Sequence, residues 1–545
     1  MKIKISPIKS VYAVFLLILS GCGGTVMVST PVENIDAVPL KISDLTEAQE
    51  KTWSHADLIA DTIPGMSINK TYTEIIGTRK GKKVVVAVLD SGIDLTHEDL
   101  DGVLWTNKGE KPGNGVDDDR NGYIDDIHGY NFLGESYNEQ LEMARILRLK
   151  LGDAALQAKA KAKLEADYTE ASQNKSQYEQ ILQAVSQSHE AVSKHLGKSN
   201  YTKKEVSAIK TEDPALQQNI AVLLQMYNFS DSIPDLIEEV KEGIKHFSDQ
   251  LNYNLNVNFS GRDAVGDNPY DLMDLGYGDG NPQNRFPDEK HGTHVAGIIA
   301  AERNNGRGVN GVANNAQIMS IRAVPNGDEY DKDIALGIRY AVDNGARIIN
   351  CSFGKSFSPN SEWVFDAIKY AASKNVLIVH ASGNDGLNID ASENTQYPND
   401  YNTNPGPEFA ENVLVVGSLT QNYGSEMISS FSNYGQNNVD VFAPGSGIYS
   451  TIPGNTYKSQ GGTSMAAPAV SGVAALIMSY YPKLTAVQVK KIIEQSGLSS
   501  KTNVILGGDP SKAKNFNEIS SSGKMVNAYN AMILADGVAK GRVRI

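Results

Sequence analysis

Four short stretches carry side chains that together could break an acyl bond. Residues 461–468 read GGTSMAAP, where two glycines let the backbone turn sharply and Met-Ala-Ala-Pro-Ala-Val can start a helix with its proline in the first turn. Ser464 would then stand at a helix N-terminus, where unpaired backbone N–H groups suit a developing oxyanion. A serine needs a base before it can attack, and the base needs a carboxylate to orient it. His291 opens HGTHVAGIIAA, Asp90 ends the apolar run of VLDSGID, and Asn384 follows another apolar run in HASGNDG. Each has a plain structural reading: an aspartate capping a turn, an Asn-Asp-Gly turn, one of two histidines in HGTH, a serine that merely opens a helix. Their convergence on the ends of separate regular elements is what points to a site.

Those elements follow from hydrophobic patterning. Residues 84–89, 346–350, 375–382 and 412–418 are nearly continuous apolar runs, as expected of parallel strands covered on both faces. Between them lie helical stretches such as HVAGIIAA, IALGIRYAVDNG and VFDAIKYAASK. The alternation predicts an α/β fold with a doubly wound, mostly parallel sheet flanked by helices, whose sites lie beyond the strand C-termini. Residues 135–258 break the pattern. They are rich in Ala, Gln, Lys and Glu, with apolar faces at Tyr178, Ile181, Leu182 and Val185 and at Leu216, Ile220, Leu223 and Tyr227. This spacing predicts an α-helical insertion of about four helices. A lid, a partner-binding arm and an inert excursion are all compatible with it.

GVDDDRNGYIDD places Asp117, Asp119, Asn121 and Asp125 at loop positions 1, 3, 5 and 9 around Gly122, with the Tyr123 carbonyl at position 7. Hard oxygen donors at alternate positions around a glycine turn suit Ca²⁺ in a structural role. Position 12 is His128 where a bidentate carboxylate belongs, so a remote residue must complete the shell; the bland alternative is a solvated acidic turn.

The chain of 545 residues is long enough for one large domain with insertions or for two to three domains. Its net charge of −14 argues against nucleic acid as a partner. Lys2, Lys4 and Lys9 precede the apolar run VYAVFLLIL and then SGC, a pattern that suits a signal peptide over residues 1–21 rather than a span. Leu19-Ser20-Gly21-Cys22 resembles the bacterial lipobox, so Cys22 is the expected lipidation site, with residues 22–52 a linker. The protein is therefore expected to be exported and lipid-anchored to a bacterial membrane, on its periplasmic or cell-surface face. Cys351, the only other cysteine, sits in the apolar ARIINCSFG and reads as a buried core thiol.

DSGID, HGTHVAG, ASGN and GTSMAAP, in this order along the chain, resemble the subtilisin-like serine peptidases. The resemblance covers about residues 53–132 and 261–535, and implies a peptidase domain over 53–134 and 259–538 that acts as a serine endopeptidase on polypeptide substrates. It makes Ser464 the nucleophile, His291 rather than His294 the base, and Asp90 the group that orients the base. Asn384 and the Ser464 backbone N–H would bind the oxyanion. Substrate would lie as an extra strand along NCSFG. Its first pocket would be formed by Ser352, Phe353 and Gly354 on one side and Ala381, Ser382 and Gly383 on the other. Lys355 and Asp385 stand near that pocket with opposite charges, and the sequence does not say which prevails. The resemblance also suggests a second, weaker calcium site through Asp99 and Asn305. A catalytically silent scaffold and an ester-directed hydrolase are the competing readings.

Overall fold

The computed structural model describes residues 31–33, 35–37 and 44–545. The lipobox and Cys22 lie outside them. Seven strands form one wholly parallel sheet: β1 (Val84–Asp90), β2 (Gly129–Asn131), β3 (Ala316–Arg322), β4 (Ile348–Cys351), β5 (Leu377–Ala381), β6 (Val413–Leu419) and β7 (Val441–Pro444). Their spatial order is β2-β3-β1-β4-β5-β6-β7. The expected α/β architecture is thus observed, and β1 shows why its apolar run is continuous. Val86 and Val88 point into one hydrophobic core and Ala87 and Leu89 into the other, all fully buried. β3 escaped the sequence reading because AQIMSIR mixes apolar with polar residues. Its Ser320 and Arg322 are nevertheless buried, and Arg322 is satisfied by Glu289, Asn131 and the carbonyls of Gly134 and Ser136.

β1 pairs with β3 on one side and β4 on the other, so the strand order reverses around it. The crevice outside such a switch point is where open α/β sheets hold their sites. Asp90, the last residue of β1, lies at that edge.

The longer helices are α1 (Glu142–Leu149), α2 (Ala154–Leu196), α3 (Pro214–Met226), α4 (Ile233–Asp249), α5 (His291–Ala300), α6 (Asp331–Asp343), α7 (Ser361–Ser373), α8 (Thr463–Tyr480), α9 (Ala486–Ser496) and α10 (Ala528–Ala539), with shorter helical turns at Glu47–Glu50, Leu58–Asp61, Ile68–Lys70 and Lys203–Ser207. Residues of α5, α8, α9 and α10 build the core on one sheet face, and residues of α6 and α7 the core on the other. α8 is long and apolar enough to cross a membrane, yet its most apolar window is 89% buried, which makes it the central core helix of the sheet.

α1 to α4 lie between β2 and β3. The two apolar faces read from the sequence meet there: Val185, Leu223 and Tyr227 are buried together with Ile233, Leu236 and Val240 of α4. A second cluster joins Met143, Ile146, Ala160, Ala171 and Leu255 to Phe357, which follows β4, and so fastens the helical segment to the sheet. Leu476, wholly buried on α8 in the larger core, provides a measure of this packing: Leu476→Ala is expected to lower unfolding free energy by about 2–5 kcal/mol, read from the urea midpoint.

Candidate active site

The C-terminal ends of β1, β4 and β5 and the N-termini of α5 and α8 open onto one cleft of about 670 Å³. Asp90, His291, Ser352, Phe353, Gly354, Ala381, Ser382, Gly383, Asn384 and Ser464 all line it. The structure therefore brings together every residue expected to take part in catalysis or substrate binding.

His291 is the first residue of α5, and Gly292 lets that helix end approach β1: a Cβ there would fall 2.2 Å from the Gly92 carbonyl oxygen. The Gly292 N–H donates to Ser91 Oγ at 3.2 Å. His291 Nδ1 then lies 2.7 Å from Asp90 Oδ1, which also accepts the Ser91 N–H at 2.8 Å. Facing a carboxylate that is 1% exposed, Nδ1 holds the proton and leaves Nε2 as the basic nitrogen. Burial pushes this imidazole down, but the charge and hydrogen bond of Asp90 outweigh it, and the net shift is upward from the ordinary value of 6.5.

Ser464 is the second residue of α8. Pro468 falls in the second helical turn rather than the first, and its missing N–H leaves the Ser464 carbonyl without its helical partner. Ser352 takes up that carbonyl: its Oγ donates to it at 2.9 Å, while Ser464 Oγ donates to the Ser352 carbonyl at 3.0 Å. The motif's proline thereby ties the helix start to the end of β4. Asn384 is held by Thr463, whose backbone N–H and Oγ1 both donate to Asn384 Oδ1, at 2.9 and 3.0 Å. Its NH₂ group is left for the cleft. A methyl placed on Gly462 would lie 3.6 Å from both Asn384 Nδ2 and the Ser464 backbone nitrogen, so the two donors border one small volume. Thr463 is a functional neighbour the sequence reading missed, although its place before the serine marks it.

Neither backbone polar group of Gly354 is used in a hydrogen bond among the described residues, whereas Lys355 pairs with Tyr397 through both of its own. The Phe353 carbonyl faces His380 Nε2 at 2.8 Å, and burial pushes that imidazole down to about 4. Lys355 is buried, its ammonium 2.8 Å from Glu142, 2.9 Å from Asp331 and 2.8 Å from the Glu329 carbonyl. His294, the second histidine of HGTH, is buried with Nε2 3.0 Å from the Lys458 carbonyl, and burial pushes it down to about 4. Burial likewise pushes the Cys351 thiol far up, which leaves it an inert core group.

The acidic loop departs from expectation. Of the carboxylates expected around a cation only Asp119 gathers with others, and its partners are Glu110 and Asp126, with ligand oxygens within 4.8 Å of one another. Asp117 instead accepts the N–H groups of Asn121 and Gly122, and Asp125 those of Asn114 and Gly115. Asn121 Oδ1 accepts the Tyr123 N–H, and the Tyr123 ring packs edge-on against Tyr130 and Tyr340. Short aspartates in a glycine-rich loop are drawn to their own backbone, which spacing alone does not reveal. At the second expected site, Asp99 is engaged by Asn305 Nδ2 at 2.6 Å and by the Val309 N–H at 2.9 Å.

The subtilase family model matches residues 81–518, and the chain belongs to that family. It is 41% identical over 231 residues to the thermophilic serine proteinase of Bacillus sp. (strain AK1), covering 42% of this chain and 49% of that protein. It is 42% identical over 203 residues to thermitase of Thermoactinomyces vulgaris, covering 37% of this chain and 64% of that one. The chain thus spans about half to just under two thirds of the length of these relatives. Among solved structures, a protease of Pseudoalteromonas arctica aligns over 89% of this chain and 97% of its own, with 22% identity and a TM-score of 0.44.

Because His291 is raised by its carboxylate, NMR titration of its imidazole should give a midpoint above 6.5, falling in Asp90→Asn. The sign for stability follows: the pair stabilises the fold fully below about pH 6.5, and this contribution is lost as pH rises through the folded-state midpoint.

Proposed function

We propose that this chain is a serine endopeptidase that hydrolyses peptide bonds of proteins outside the cytoplasm. Ser464 attacks the scissile carbonyl, His291 Nε2 takes its proton and returns it to the leaving amine, and Asp90 fixes the tautomer and stabilises the imidazolium. The Asn384 amide and the Ser464 backbone N–H receive the oxyanion. The observation that carries this reading is the 2.7 Å contact of His291 with Asp90 beside the two donors that border one volume. In the resting arrangement the Ser464 hydroxyl is bonded to the Ser352 carbonyl, so a side-chain rotation brings it to the base. Catalytic hydrogen bonds often tighten in this way only in the substrate complex. The free backbone groups of Gly354 support a peptide laid as an added strand.

Three further assignments belong to the same reading. Helices α1 to α4 form an insertion over residues 135–258, supported by their own apolar cluster. Cys22 carries a lipid that tethers the enzyme to a bacterial membrane, supported by the run VYAVFLLIL before SGC. Glu110, Asp119 and Asp126 hold a structural Ca²⁺, supported by three hard carboxylate donors brought close together.

The decisive test is labelling of residues 23–545 with a fluorophosphonate probe. Wild type is expected to label and Ser464→Ala to fail; a folded wild type that does not label would overturn the enzyme reading. For the metal, calcium at a hundredfold above its Kd should stabilise wild type by about 2.7 kcal/mol. Thermal unfolding should show the gain and Glu110→Gln should lose it. An equal gain in the variant, or none in wild type, would remove calcium from this cluster.

A further inference from the structure

α4 carries two faces of opposite chemistry. Ile233, Leu236 and Val240, with the half-buried Ile237 and Ile244, recur at helical spacing and pack among apolar residues of α2 and α3. Gly243 lets the two long helices approach, since a Cβ there would fall 2.3 Å from the Tyr178 ring of α2. Glu242, Lys245, His246 and Asp249 follow one another at i, i+3, i+4 and i+7 and make the other face. That face meets the segments that carry the catalytic residues. Glu242 lies 2.9 Å from Lys458 and 3.7 Å from Lys290, and Lys245 lies 3.2 Å from Asp288. Lys290 immediately precedes His291, and Lys458 stands in the strand Thr456–Gln460 shortly before Ser464. α4 therefore bridges the segment that leads into the base and the segment that leads into the nucleophile.

His246 of this face lines the cleft, as do Lys163 and Asp167 of α2. The helical segment is thus part of the border of the site. Two kinds of contact hold it there. At its base Glu142, Arg145 and Lys355 form a buried network, which is costly to break. Along α4 the ions are exposed, apart from half-buried Lys290, and pairs of that kind contribute little. The base is fastened, whereas α4 can part from the catalytic segments at small cost. A substrate bound as an added strand is a single chain, about 4.8 Å from its neighbour. An extended segment fits a cleft bordered in this way. A loop still attached to a folded body brings that body against α2 and α4.

We propose that α4, clasped through Glu242 and Lys245 to the segments that carry His291 and Ser464, restricts this site to extended, unfolded chain segments, and that folded proteins are cut only when the clasp opens. This rests on the peptidase reading above and names its substrate class. The contacts are ionic and exposed, so salt should loosen them.

The test presents one cleavage sequence in two forms. It is taken from a cut that wild type makes in a denatured protein, and is offered as a free peptide and in the loop of a stable folded domain that an unrelated protease cuts there. For wild type kcat/KM should be at least tenfold lower for the loop than for the peptide. The double variant Glu242→Gln, Lys245→Gln removes all three pairs and leaves the catalytic groups in place. Its loop-to-peptide ratio should rise roughly three- to tenfold. Raising salt from about 0.01 M to about 1 M should raise the ratio in wild type and leave the variant unchanged. A ratio taken within one variant is independent of how much of that variant is folded or active. Equal cleavage of loop and peptide by wild type, an unchanged ratio in the double variant, or a ratio insensitive to salt would overturn this proposal and leave the peptidase reading intact. So would labelled enzyme that cuts no denatured protein. Enzyme that neither cuts nor labels would overturn both.

Discussion

Burial of α8 against the sheet is the constraint from which the rest of the structure follows. Eighteen residues, mostly apolar, leave water by packing on the face that Val86, Val88, Leu377 and Val379 present. A close-packed core leaves its elements little freedom to shift. Once the helix is seated, its first turn falls at the ends of β4 and β5, so the position of Ser464 follows from packing rather than from any contact of its hydroxyl. The Ser352–Ser464 pair then closes the register between helix and strand. The N-terminus of α5 is placed on the same principle, with Gly292 against Gly92 deciding how close His291 comes to Asp90.

The parts of the fold legible in the sequence were those encoded locally. Continuous apolar runs announced β1, β4, β5 and β6, because a strand covered on both faces has no polar alternation to confuse it. Asp90, His291, Asn384 and Ser464 were legible because glycines and small residues surround each one, as close backbone approach requires. What escaped has long-range causes. β3 keeps Arg322 buried only because Glu289 and three backbone or amide oxygens, from distant segments, surround its guanidinium. The acidic loop matched a cation-binding pattern by spacing, yet two of its aspartates close turns, and Glu110 and Asp126 are brought beside Asp119 by the fold of the loop.

The fate of Lys355 is the plainest case of a property that no local pattern encodes. Read beside the pocket motif it is a cation next to Gly354; in the fold it is fully engaged by Glu142, which lies 213 positions away. Glu142 itself is held by Arg145, whose guanidinium donates to the carbonyls of Asp328 and Glu329. The charge of Lys355 is thus neutralised in part by an element outside the sheet.

That coupling bears on what the helical segment can be. Removing one partner from a buried ionic network leaves an uncompensated charge and costs several kcal/mol, far more than the loss of a surface pair. α1 contributes both Glu142 and Arg145, each almost fully buried, and Phe357 is packed among apolar residues of the same segment. Exposed pairs of Glu242 with Lys458 and of Lys245 with Asp288 add contacts further along, though pairs of that kind contribute little. A lid that swung freely would have to break the buried network at every opening. The base of the segment, α1, is accordingly fastened beside the cleft, while the outer helices pack on one another around Val185, Leu223 and Val240. An inert excursion is equally hard to reconcile with these contacts, since the segment's first helix holds Lys355, the side chain that follows Gly354.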